Sequence, residues 1–87
     1  MTQTQRIGKM SRYYFDLHNG EGPVRDDQGI DLPSRERVSL EVAKILLDIA
    51  RDEMPAGNRS IISITVRDFE SRAIAVATLT FNHEWLD

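Results

Sequence analysis

The segment from Ser34 to Met54 constrains this chain most, because it alone carries apolar residues at helical spacing over several turns. At about 100° per residue, Val38, Val42, Ile45 and Ile49 fall on one line with Leu46 beside them, the pattern of a helix that lays one stripe against a core. Pro33-Ser34 marks the start, since a serine at the N-cap accepts a bond from a backbone N–H that the first turn leaves without a partner. Pro55 marks the end: proline disfavours the α conformation in the residue before it, and Ala56-Gly57-Asn58 supplies a turn. Opposite the core stripe, Leu40, Leu47 and Met54 recur every seven residues, with Ala43 and Ala50 between the two stripes. The apolar arc then spans roughly 200°, about twice what contact with one sheet requires. Two readings follow. Either the helix is sunk into its own domain and wrapped by the flanking hairpins, or Leu40, Leu47 and Met54 form a second contact surface for another copy of the chain or a protein partner.

A chain of 87 residues buries only about 60–65% of its unfolded surface, so one helix packed on one sheet is about all it can build. The composition, 40% hydrophobic and 29% charged, is that of a globular domain. No apolar run approaches the roughly 20 residues of a membrane-spanning helix. Fourteen acidic against eleven basic side chains give a formal charge of −3, which opposes nucleic acid as a partner because phosphate binding draws on clustered Lys and Arg. The absence of cysteine excludes a disulfide framework, a zinc ribbon and a thiol nucleophile. Arg6 and Lys9 are not followed by the apolar stretch of a secretory signal, and the expectation is a cytoplasmic protein.

Residues 1–11 are polar and without period, and are expected to form a disordered leader ahead of a single domain over 12–87. From Arg12 to His18 the pattern alternates, with Tyr13, Phe15 and Leu17 toward the helix and Tyr14, Asp16 and His18 away from it. Asn19-Gly20-Glu21-Gly22-Pro23 reverses the chain. Val24 to Asp27 is expected to be a short edge strand and Asp27-Gln28-Gly29 a second turn, with Ile30-Asp31-Leu32 leading to the helix. Beyond the helix, Ser60 to Arg67 alternates as a half-buried strand. Asp68 to Arg72 holds a turn without glycine, which implies a loop longer than two residues. Ala73 to Phe81 is the last strand, and its two apolar faces suggest a central position. The end, Asn82 to Asp87, is expected to fray, with Trp85 or Leu86 docking. The order β-β-α-β-β predicts an α+β two-layer sandwich, a mainly antiparallel sheet with one helix on one face.

The residues Arg12-Tyr-Tyr-Phe-Asp-Leu-His18, Gly20-Glu-Gly22, Asp26-Asp27-Gln28-Gly29 and Leu32-Pro33-Ser34 resemble an uncharacterised family of short bacterial proteins, a domain of unknown function. Its members open with an aromatic-aromatic-Phe-Asp strand, continue through Asp-x-x-Gly-x-x-Leu-Pro into a helix and close with a hairpin. The resemblance covers roughly Tyr13 to Phe81 and implies a fold but no activity. The chain departs from the family in the last turn, where Asp68-Phe69-Glu70-Ser71 replaces a turn that commonly contains glycine. By element order alone, the chain is also similar to the antitoxin half of toxin–antitoxin pairs of the HicB type, a nucleic-acid-associated alternative.

Asp16, His18, Asp26, Asp27 and Asp31 lie close together in sequence, and carboxylates beside an imidazole suit a divalent cation or acid–base work in a small enzyme. The plainer reading is that Asp26-Asp27-Gln28-Gly29 is a turn whose aspartates bond their own backbone, with Asp16 and His18 a solvated pair on the uncovered sheet face. No Ca²⁺-loop spacing and no nucleophile elbow occur. His83 and His18 alone lack the further ligands of a zinc site. The residues therefore assign no catalytic group, metal or cofactor. Arg25, Arg35 and Arg37 form the one basic cluster, and pairing with Glu36 or Glu41 is expected to offset their position at the helix start. The leading expectation is a non-enzymatic interaction or regulatory module, acting as a homodimer or with a protein partner through Leu40, Leu47 and Met54.

Overall fold

The computed structural model describes residues 10–19, 22–53 and 59–87. In chain order the elements are β1 (Ser11–His18), β2 (Pro23–Val24), β3 (Ile30–Leu32), α1 (Arg35–Glu53), β4 (Arg59–Arg67) and β5 (Ala73–Asn82). The strands form one antiparallel sheet in the order β2-β1-β4-β5, with β3 also on β1. Helix α1 covers one face, and the other is open. This is the α+β two-layer sandwich that the element order predicts.

Register explains which residues make the core. Phe15 lies opposite Val66 and Leu17 opposite Ile64, while Ile62, Ile64 and Val66 lie opposite Leu79, Ala77 and Ala75. Directly opposed residues share a face, so these rows all point at α1. Phe15, Leu32, Val38, Val42, Leu46, Ile62, Ile64 and Val66 form the buried cluster, with Ile62, Ile64 and Val66 almost wholly removed from water. Each such side chain contributes about 1.5–3 kcal/mol relative to exposure. The helix begins as its sequence dictates: Ser34 Oγ accepts the Arg37 N–H at 3.2 Å, and the Val38 N–H donates to the Ser34 carbonyl at 3.1 Å. Met54 and the Pro55 stop lie outside the described residues, as do residues 1–9 of the expected leader. Ser11, assigned to that leader, already belongs to β1.

Several expectations need correction. β2 ends at Val24 rather than Asp27, and Ile30–Leu32 is a strand of its own, pairing with Ser11, Arg12 and Tyr13. One edge of β1 is thus served by two short strands with the Asp26 loop between them. The last strand, β5, lies at the sheet edge and not in the middle. β4 holds the centre, where Ile62, Ile64 and Val66 fill the space under α1, while β5 packs Ile74, Ala77, Leu79 and Phe81 against the core only in part. Trp85 and Leu86 do not dock and stand exposed; Trp85 meets the His83 ring, edge on, with centroids 5.1 Å apart.

The β4–β5 connection runs over residues 68–72, longer than two as expected. The Asp68 N–H donates to the Arg72 carbonyl at 2.9 Å and the Ser71 N–H to the Asp68 carbonyl at 2.9 Å. Ser71 takes φ 66°, the left-handed conformation that glycine adopts without cost. The Asp68 carboxylate makes the loop possible without glycine, accepting the N–H of Glu70 at 2.9 Å and of Arg72 at 3.0 Å, and Arg72 Nε at 3.0 Å. These bonds, the Arg72 backbone N–H foremost, hold Asp68 below the usual carboxylate range against its burial.

Candidate functional site

The acidic residues come together around an arginine that the sequence reading did not single out. Arg67 closes β4 on the open sheet face, where register sets it opposite Tyr14 and next to the row of Asp16. Its guanidinium lies over the Tyr14 ring, 4.9 Å from the centroid, and grips Asp16 with two bonds, Nε to Oδ2 at 2.7 Å and Nη2 to Oδ1 at 3.1 Å. Both residues are buried, at 9% exposure for Asp16 and 7% for Arg67. Asp16 is thus part of a buried ion pair and not of a solvated Asp–His pair; His18 alone of the two is exposed.

Asp26 completes the network and explains the break between β2 and β3. Its Oδ2 accepts the Phe15 N–H at 3.0 Å, and its Oδ1 accepts the N–H of Gln28 at 3.0 Å and of Gly29 at 3.1 Å. The carboxylate therefore bonds β1 where a continuous edge strand would have placed a carbonyl, and shapes its own turn as expected of aspartate. The Asp26 N–H donates to Asp16 Oδ1 at 2.9 Å, and the Asp26 carbonyl accepts Arg67 Nη2 at 2.9 Å. Arg67 pulls Asp16 below the ordinary carboxylate range despite burial. Burial would raise Asp26, but the N–H groups of Phe15, Gly29 and Gln28 outweigh it and lower its pKa. Asp16 in turn raises Arg67.

These contacts leave little for chemistry. The acceptor sites of Asp16 and Asp26 are engaged by N–H donors, Asp31 bonds Arg12 at 3.0 Å, and Asp27 and His18 face solvent. Among the described residues no three acidic or histidine side chains are grouped to hold a metal ion. The expected pairing of the helix-start arginines is also absent: Arg35 and Arg37 make no ion pair with any described residue, and the ion pair on the helix joins Arg51 to Asp48.

The second candidate is the apolar surplus of α1. Leu40 and Leu47 are 64% and 59% exposed, which overturns the reading of a helix sunk in its own domain; Met54, the third residue of that stripe, lies outside the described residues. Measured around the helix from Val42, Ser39 stands at about 60°, Ala43 at about 100°, Leu47 at about 140° and Leu40 at about 160°, while Glu41, Asp48 and Arg37 lie on the opposite flank. Ser39 and Ala43 line an open apolar groove of about 330 Å³ whose far wall is Ala75, Val76 and Ala77 of β5. By this ideal spacing the leucines lie beyond Ala43 on the same side of α1 as the groove. Val76 is 69% exposed on the β5 edge. The sequence reading found Leu40 and Leu47 but missed Ala75, Val76 and Ala77, because only the strand order reveals that, among the described residues, β5 has a side with no strand beside it.

A helix on one face of an antiparallel sheet, with the other face and the β5 edge open, defines a small two-layer α+β domain. The family model described as Domain of unknown function (DUF6894) matches residues 12–80, and the chain belongs to that family. Comparison with curated proteins and with solved structures gave no match. Among the described residues no helix is long and apolar enough to cross a membrane.

Proposed function

We propose that this protein is a non-enzymatic interaction or regulatory module whose working surface is the β5 edge together with the groove and leucines of α1. One observation carries the reading: over its ten residues, Ala73–Asn82, β5 has no charged residue, no proline and no glycine. Edge strands of proteins that work alone are blunted by such residues, because their free N–H and C=O groups otherwise template pairing with another chain. Beyond the register irregularity at Ala73 to Ala75, this uncharged edge adjoins an unfilled apolar groove and two exposed leucines, a combination suited to strand addition with side-chain anchors. Acid–base or metal chemistry at Asp16, His18, Asp26 and Asp27 has no comparable support, since Asp16 and Asp26 already hold the fold together. The resemblance to short bacterial proteins favours a bacterial cytoplasm as the setting.

A photo-crosslinking residue placed in turn at Val76, Leu47 and Glu41 in living cells tests the reading. Val76 and Leu47 are expected to give discrete protein adducts and Glu41, on the polar flank, none. Absence of adducts at Val76 and Leu47, or equal yields at all three, refutes it.

A further inference from the structure

Resting on that reading, we infer that the partner is a second copy of this chain, joined through antiparallel β5–β5 pairing about a two-fold axis at Thr78. An axis that keeps both helices on one side of a continuous sheet runs perpendicular to it. Directly opposed residues then share a face, so each residue meets one of the same parity and the residue on the axis meets itself. With Thr78 on the axis, Ala77 opposes Leu79 of the second copy and Ala75 opposes its Phe81. Each small residue on the helix side thereby faces a large one, Leu79 or Phe81, which packs in part against its own core and borders the groove lined by Ala75, Ala77 and Ala43. Moving the axis to Ala77 puts alanine on alanine at the centre, and moving it to Val76 puts Ala75 on Ala77.

Val38, Ser39, Val42, Ala43 and Leu46 share the groove with Ala75, Val76 and Ala77, so this stretch of α1 runs beside the first part of β5, and the exposed Leu40 and Leu47 are offered to the second copy. A contact about 30 Å long, from the nine residues 74–82 at about 3.3 Å each, and about 15 Å deep through the strand and helix layers buries roughly 900 Å² in total, close to the size at which specific dimers begin.

The native chain has no cysteine, which permits a clean test on the full-length protein. Thr78→Cys meets itself at a separation a disulfide spans, whereas two copies of Val76→Cys stand about 13 Å apart and cannot close. Under mild oxidation Thr78→Cys is expected to form a covalent dimer. Val76→Cys alone is expected to form none, and Val76→Cys with Thr80→Cys to form one. The wild-type melting temperature is expected to rise by about 3–6 °C per tenfold in concentration, and exposed Thr78→Lys to give a folded monomer. A wild-type melting temperature indifferent to concentration, or equal crosslinking of Thr78→Cys and Val76→Cys, overturns self-pairing. In-cell adducts at Val76 to a different protein would then leave the interaction reading standing, and no adducts would end both.

Discussion

Asp26→Asn separates a carboxylate that builds the fold from one held ready for chemistry. In the native protein the Asp26 side chain accepts three backbone N–H groups, those of Gln28 and Gly29 on one oxygen and that of Phe15 on the other. Asparagine keeps one acceptor oxygen and presents an amide N–H₂ in place of the second. If the oxygen stays with Gln28 and Gly29, the Phe15 N–H in the middle of β1 faces a donor. Leaving such a group unsatisfied costs about 1–3 kcal/mol, which for a domain of this size lowers the melting temperature by roughly 5–20 °C. Turning the amide over saves Phe15 but frees the two turn donors, so neither orientation escapes. Urea denaturation followed by circular dichroism is the assay, with a lowered midpoint and an unchanged slope as the expected result. A loss below about 0.5 kcal/mol, the range of ordinary surface substitutions, would show that Asp26 does not hold the β1 edge.

Three further outcomes follow from the same contacts. The folded-state pKa values of Asp16, Asp26 and Asp68 all lie below the ordinary 3.8, so their stabilisation is complete above that value and is lost as pH falls through the lowered values; acid titration of stability is expected to fall off below about pH 4, less steeply in Asp16→Asn. Gly29→Ala is expected to destabilise by at least about 1–2 kcal/mol, because Gly29 has φ 71° and an added Cβ would meet the Tyr13 carbonyl oxygen and the Tyr14 ring at 2.9 Å; thermal melting measures it. Ser71→Gly is expected to stabilise by about 0.5–1 kcal/mol by relieving the left-handed serine, less whatever is lost with the 3.4 Å bond from Arg67 Nη1 to Ser71 Oγ; an unchanged or lowered urea midpoint would count against strain at that loop.

Periodicity was enough to reveal α1, β1 and β4, because each presents a long apolar stripe to one core and the local pattern agrees with the packing. It carried β2 on to Asp27 and missed β3 as a strand, because the break between them depends on the Asp26 carboxylate bonding across to Phe15, a contact between residues 11 positions apart. The place of β5 was misread because two apolar faces suit a central strand and also an edge that adjoins an open groove; the alanines at 75 and 77 hinted at the second. Arg67 looked like the polar end of an alternating strand. Its role appears only when register brings it, 51 residues along the chain, to Asp16. Leu40 and Leu47 were legible as surplus, since no single sheet contact uses so wide an arc.

Amide hydrogen exchange of β5 across a dilution series tests the central claim most directly. In a lone chain, alternate β5 amides bond β4 and the rest point outward to water, so the outward set exchanges fast at every concentration. The account predicts that the outward amides around Thr78 are protected at high concentration and lose that protection together on dilution, while the β4-bonded set is unchanged. Fast exchange of the outward set at all concentrations would contradict it.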